Sequence, residues 1–81
     1  MIDLIESIKI RYDRNEIVIE VPDQLIPIKV SLHNLHGSHI QTKVIDTTEY
    51  VIDISCLMPG IYVVSVYNAV VHAAAKIAIS Y

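Results

Sequence analysis

Three of the four histidines in this chain fall at His33, His36 and His39, and they are the first residues whose types and spacing suggest chemistry. Imidazole nitrogens ligate zinc, and His33 and His39 would converge if a hairpin turned both to one side. His36, however, falls at the tip of that hairpin. Neighbours three apart on a strand face opposite ways, and no Cys or carboxylate lies close in sequence. Solvated hairpin histidines are the expectation, and no metal or other cofactor is assigned. A second pairing places Ser65 opposite His72 on an outward face, with His33 one strand away, which raises the question of a nucleophile and its base. That chemistry needs an orienting acid and oxyanion donors in a cleft, and the flat face of a sheet supplies neither. Asp46, Glu49 and Asp53 read as loop and surface charge rather than as paired acid–base carboxylates. The chain is therefore read as no enzyme. Cys56, in an apolar turn, reads as a buried filler. As the single cysteine, it excludes an internal disulfide and a cysteine-based zinc site.

The elements that must position these residues come from a small, strongly branched chain. Eighty-one residues, 53% of them hydrophobic, are too apolar for disorder and suit one domain over 1–81. A folded chain of this mass exposes about 4,900 Å² and has room for one core without a deep interdomain cleft. Six basic against nine acidic residues give a net charge of −3, so no nucleic-acid partner is expected. No apolar run reaches the length of a membrane span; residues 69–79 are interrupted by His72 and Lys76. Met1 to Tyr12 carries neither a basic n-region nor a cleavage site, so an exported form would be a mature chain or a fragment with a start Met. Fifteen Ile and ten Val stand against five Leu, with no Phe or Trp. Branching at Cβ fits a pleated surface better than a helix.

Period two runs along the whole chain. Ile8, Ile10 and Tyr12 share one face, then Asp13–Glu16 form a turn, and Ile17, Ile19 and Val21 share the next face. Pro22-Asp23 ends that strand. Ile28, Val30 and Leu32 lead into an Asn34-Leu35-His36-Gly37 hairpin, a type I turn with a bulge at Gly37. Ile40, Thr42 and Val44 form the return strand, and Tyr50, Ile52 and Ile54 the next. In the last two strands Asn68-Ala69 reads as a two-residue turn, which pairs Val66 with Val71, Val64 with Ala73 and Tyr62 with Ala75. The alanines of residues 73–75 would suit a helix by propensity, but the large-to-small pairing favours a strand. About seven strands at roughly ten-residue spacing predict an all-β, immunoglobulin-like or fibronectin-type-III-like two-sheet Greek-key sandwich, each strand turning its branched stripe inward.

Two clusters stand out within that frame. Leu57, Pro59, Gly60 and Tyr62 form the setting of a tyrosine corner, in which the phenol bonds back to upstream backbone and pins a crossover. Val63, Tyr67 and Ala74, with Ala78, fall on the parity opposite the core and are flanked by His72 and Lys76. Several apolar residues on one outward face mark a candidate partner surface.

Three segments resemble a known pattern: Val30-Ser31-Leu32-His33-Asn34-Leu35-His36-Gly37, Val51-Ile52-Asp53-Ile54-Ser55 with Leu57, and Pro59-Gly60-Ile61-Tyr62-Val63-Val64, followed by Lys76-Ile77. They are similar to the "(I/V)x(I/V)xxLxG" hairpin, the "IDxSxLxxGxYxV" stretch and the closing Lys-Ile strand of the C-terminal sorting domains of type IX secretion cargo in Bacteroidetes. The similarity spans residues 28–79. Residues 11–15 lack the proline-rich opening usual in that family, and the tail is not basic. The chain also resembles the small, free-standing, exported immunoglobulin-like proteins of Bacteroides. Either resemblance implies a non-catalytic module outside the cytoplasm, in the periplasm, at the cell surface or secreted. Its role would be passive: sorting, attachment or domain–domain contact. The partner would be secretion machinery, a neighbouring domain or a second copy. The rival reading is a ligand-binding accessory domain that recognises a glycan through Tyr67; five Tyr and no Trp make a poor sugar platform.

Overall fold

The structure is a computed structural model and describes residues 7–80; the ends of the expected 1–81 domain, residues 1–6 and 81, lie outside it. Seven strands form: β1 (Lys9–Asp13), β2 (Glu16–Glu20), β3 (Ile28–Asn34), β4 (His39–Ile45), β5 (Glu49–Asp53), β6 (Gly60–Tyr67) and β7 (His72–Ile79). A 3₁₀ turn covers Asp23–Leu25, and the described residues contain no α-helix. The alanine-rich end is strand, as the pairing predicted, because β6 offers it a full antiparallel partner. One sheet has the order β1-β2-β5 and the other β4-β3-β6-β7, all neighbours antiparallel. The chain crosses between sheets after β2, β4 and β5, so β2 meets β5 and β3 meets β6 in Greek-key fashion.

The core is the set of inward stripes the alternation predicted. Ile17, Ile19, Ile52 and Ile54 of one sheet meet Ile28, Val30, Leu32, Val64 and Val66 of the other, all of them buried. Each such side chain contributes about 1.5–3 kcal/mol when removed from water.

β4 departs from the expectation. Its stripe Ile40, Thr42 and Val44 faces outward, and Gln41, Lys43 and Ile45 take the inward positions opposite Leu32, Val30 and Ile28. The reason is its place at the sheet edge. Only Ile45 reaches the core, while Lys43 lies at the rim with its ammonium 5.5 Å from the centroid of the Tyr50 ring. A long side chain can cover apolar rim with its stem while its charge stays in water, and an inward-pointing charge on an edge strand deters pairing with another chain.

The β3–β4 turn forms as its residues demand. The Asn34 side-chain oxygen accepts from the backbone N–H groups of His36 and Ser38 at 3.0 and 2.9 Å, and Gly37 N–H donates to the Asn34 carbonyl at 3.0 Å. Gly37 sits at φ +86°, with nothing within 4 Å of where a Cβ would project. Gly37→Ala should therefore cost backbone strain alone, about 1 kcal/mol, and lower the melting temperature by roughly 5 °C. Gly37→Asn should cost less than half of that, because Asn tolerates the left-handed region. Thermal melts by circular dichroism check both.

The β6–β7 connection is longer than the predicted Asn68-Ala69 turn. Tyr67 pairs with His72, leaving residues 68–71 as the loop. Asn-Ala lacks the glycine that a two-residue hairpin turn favours. Instead Asn68 caps a wider loop: its side-chain oxygen accepts from Val70 and Val71 N–H at 2.8 and 3.0 Å, and its own N–H donates to the Val71 carbonyl. The register moves by two residues, to Val66–Ala73, Val64–Ala75 and Tyr62–Ile77. A shift of two preserves which residues face inward.

Candidate functional site

The outer face of the four-stranded sheet gathers most of the singled-out side chains. Antiparallel register sets them in rows: Val44, Lys29, Tyr67 and His72; then Thr42, Ser31, Ser65 and Ala74; then His39, His33, Val63 and Lys76. Ile61 and Ala78 extend the face beyond the third row. Val63, Tyr67, His72 and Ala74 thus stand on one surface, with Val63 and Tyr67 half-buried and His72 and Ala74 exposed. Val44 and Ile61 are exposed there as well.

The register change in β6–β7 separates Ser65 from His72. Ser65 faces Ala74 and His72 faces Tyr67, so the expected Ser–His opposition does not form. The Tyr67 and His72 rings instead meet edge to face, their centroids 5.7 Å apart.

At the hairpin, a bulge brings His33 directly opposite His39, with Ile40 as the extra residue. Their rings lie edge to face at 5.3 Å, while His36 stays at the exposed turn tip. His39 Nε2 is hydrogen-bonded to the Thr42 hydroxyl. The Ser31 hydroxyl is bonded to that of Thr42 at 3.0 Å and to that of Tyr67 at 3.3 Å. A polar chain therefore runs across the face from His33 through His39, Thr42, Ser31 and Tyr67 to His72. Ser31, although on the outer face of the sheet, is 2% exposed because Thr42 and Tyr67 close over it. Among the described residues no group of three His, Cys, Asp or Glu is placed to hold a metal ion. Beside Tyr67 the face dips into a shallow concavity of about 410 Å³ lined by Pro27, Lys29, Val44, Asn68 and Ala69.

Charge is divided between the two sheets, a feature that a net charge hides. β3, β4, β6 and β7 contain no Asp or Glu; they carry Lys29, Lys43 and Lys76 with His33, His39 and His72. The outer face of the other sheet has the rows Lys9, Glu20, Glu49 and Asp13, Glu16, Asp53, with Arg11 paired to Glu20 at 3.1 Å. The readable signal was the distribution of acids: all nine precede residue 24 or lie in 46–53. Glu49 and Asp53 sit at opposite ends of β5, both exposed, and do not pair. Asp53 accepts from Ser55 N–H at 2.9 Å. That bond and the Ser55 hydroxyl hold its carboxyl below the usual carboxylate range. The small contribution of this exposed group to folding is present above the ordinary carboxylate pKa and fades as the pH falls through the lowered one.

At the β5–β6 connection the Tyr62 ring is buried and its hydroxyl donates to the Met58 carbonyl at 2.6 Å. Leu57 is half-buried against the core and its N–H donates to the Ile54 carbonyl, while Pro59 and Gly60 are exposed. Cys56 is exposed, not buried as expected, because Ile54 and Leu57 take the inward positions of this segment. The Leu35 N–H donates to the Ile61 carbonyl at 3.1 Å, which ties the β3–β4 hairpin to this corner. The segments that carry the family resemblance, far apart in sequence, thus meet at one end of the sandwich.

A family model, the secretion system C-terminal sorting domain, matches residues 7–80. The chain belongs to that family. The match takes in the whole sandwich, including the first strand, where the proline-rich opening is missing. No curated protein matches the chain. Membership makes this a sorting domain of type IX secretion, a family of export addresses rather than enzymes, and places it in an exported protein that meets the secretion machinery. No helix among the described residues is long and apolar enough to cross a membrane.

Proposed function

We propose that this sorting domain is a non-enzymatic recognition module that marks the protein carrying it for type IX export and is read at the outer face of its four-stranded sheet. The observation that carries the proposal is the family match across residues 7–80. The face is supported by its mixed character: exposed Val44 and Ile61 and half-buried Val63 lie among lysines, histidines and hydroxyls. Such an arrangement resembles the rim and centre of a protein interface more than a catalytic cleft. A glycan platform has less support, because the Tyr67 ring is half-buried and packed against His72.

A reporter fused ahead of this domain should reach the medium or the surface in a type IX-competent host. It should stay inside an isogenic host that lacks the system. Retention in both hosts, or equal export without the domain, would overturn the sorting role.

A further inference from the structure

The partner's chemistry is written in the charge of that face, and the inference rests on the sorting reading for its biological setting only. We infer that the outer face of the four-stranded sheet docks an acidic protein surface, held by Lys29, Lys76, His33, His39 and His72 around an apolar centre at Val63 and Tyr67. Across a domain of net charge −3, this face holds no carboxylate on any of its four strands. An acidic partner therefore meets attraction without a repelling partner charge, which steers encounter and fixes orientation. Its apolar side chains have the concavity beside Tyr67 to fill.

Two other occupants fit less well. Anionic membranes are held by clusters of about four to eight Lys or Arg, and this face offers two Lys and no Arg. A second copy would have to present its acidic three-stranded sheet, which lies on the opposite side of the sandwich. Such a contact is head-to-tail and does not close.

The test uses the full chain, labelled with ¹⁵N, and as probe a synthetic glutamate-rich peptide carrying a single leucine. Amide shifts should concentrate on β3, β6 and β7 around Lys29, Val63, Tyr67 and Lys76. Affinity should weaken with added salt, as expected of a contact held by charge. The exposed change Ala74→Asp and the pair Lys29→Glu/Lys76→Glu should each weaken binding, the pair by about tenfold or more, with thermal melts unchanged; Lys9→Glu on the other sheet should leave it alone. No binding, or shifts confined to the three-stranded sheet, overturns the inference. Binding to phosphatidylglycerol vesicles without binding to the peptide overturns it in favour of lipid. Concentration-dependent self-association abolished by Glu20→Lys/Glu49→Lys overturns it in favour of a second copy. The titration needs no secretion host: export without peptide binding defeats the docking inference alone, and peptide binding without export defeats the sorting role alone.

Discussion

Ile19→Ala should remove about 3–4 kcal/mol of folding free energy, a large part of the total that a chain of this size carries. Ile19 is 0% exposed and stands on β2, the central strand of its sheet, between Ile10 of β1 and Tyr50 of β5. Truncation there loses the transfer free energy of the removed atoms and leaves a cavity that strands on both sides resist closing. The melting temperature should fall by roughly 15 °C or more. Val51→Ala supplies the contrast. That residue is one strand away on the outer face and 41% exposed, and its loss should cost below about 1 kcal/mol. Urea unfolding of both variants decides the matter. Equal losses would mean that burial between the sheets is not what holds the fold.

Tyr62→Phe should cost about 1–2 kcal/mol although the ring stays in place. The change deletes the hydroxyl that reaches Met58 and leaves that carbonyl without its 2.6 Å donor at the point where the chain crosses from β5 to β6. If the bond pins the crossover, amide exchange at Leu57, whose N–H donates to Ile54, should quicken beyond what the global loss explains. Tyr62→Ala should lose about 3–5 kcal/mol, since the buried ring goes too. A Phe variant as stable as the parent would show the hydroxyl to be an ordinary surface contact.

Both effects fall on residues that were visible in the sequence for different reasons. Ile19 was legible through alternation: in β2 the core positions Ile17 and Ile19 are spaced by two and share the inward face, while Val18 between them, also buried, lies on the other face. Tyr62 was legible through its setting after Pro59-Gly60, a corner that local chemistry makes rigid. β4 was misread by the same rule. Ile40 and Val44 satisfy alternation as well as any core pair, yet they face solvent. Periodicity reports that one face is more apolar; it does not report whether another sheet lies over it.

The candidate face was partly legible. Val63, Tyr67, His72 and Ala74 were placed together by parity alone, and parity survived even though the register of β7 against β6 was wrong by two residues. The link from His33 through Thr42 and Ser31 to Tyr67 was not legible, because it joins three strands whose relative order and stagger no local pattern states.

What this sequence determined by itself was the extended character of nearly every segment, the inward stripes of β2, β3, β5 and β6, the Asn34–Gly37 turn and the family resemblance. All of these depend on steric preferences and repeats confined to neighbouring residues. Tertiary structure alone decided that β4 lies at an edge with its stripe outward, that His72 meets Tyr67 rather than Ser65, that Cys56 is exposed, and that Lys29, Lys76, His33, His39 and His72 share one face while Asp13, Glu16, Glu20, Glu49 and Asp53 gather on the other. Each of these depends on which strands become neighbours across long stretches of chain, and that is set by the packing of two whole sheets rather than by any local run of residues.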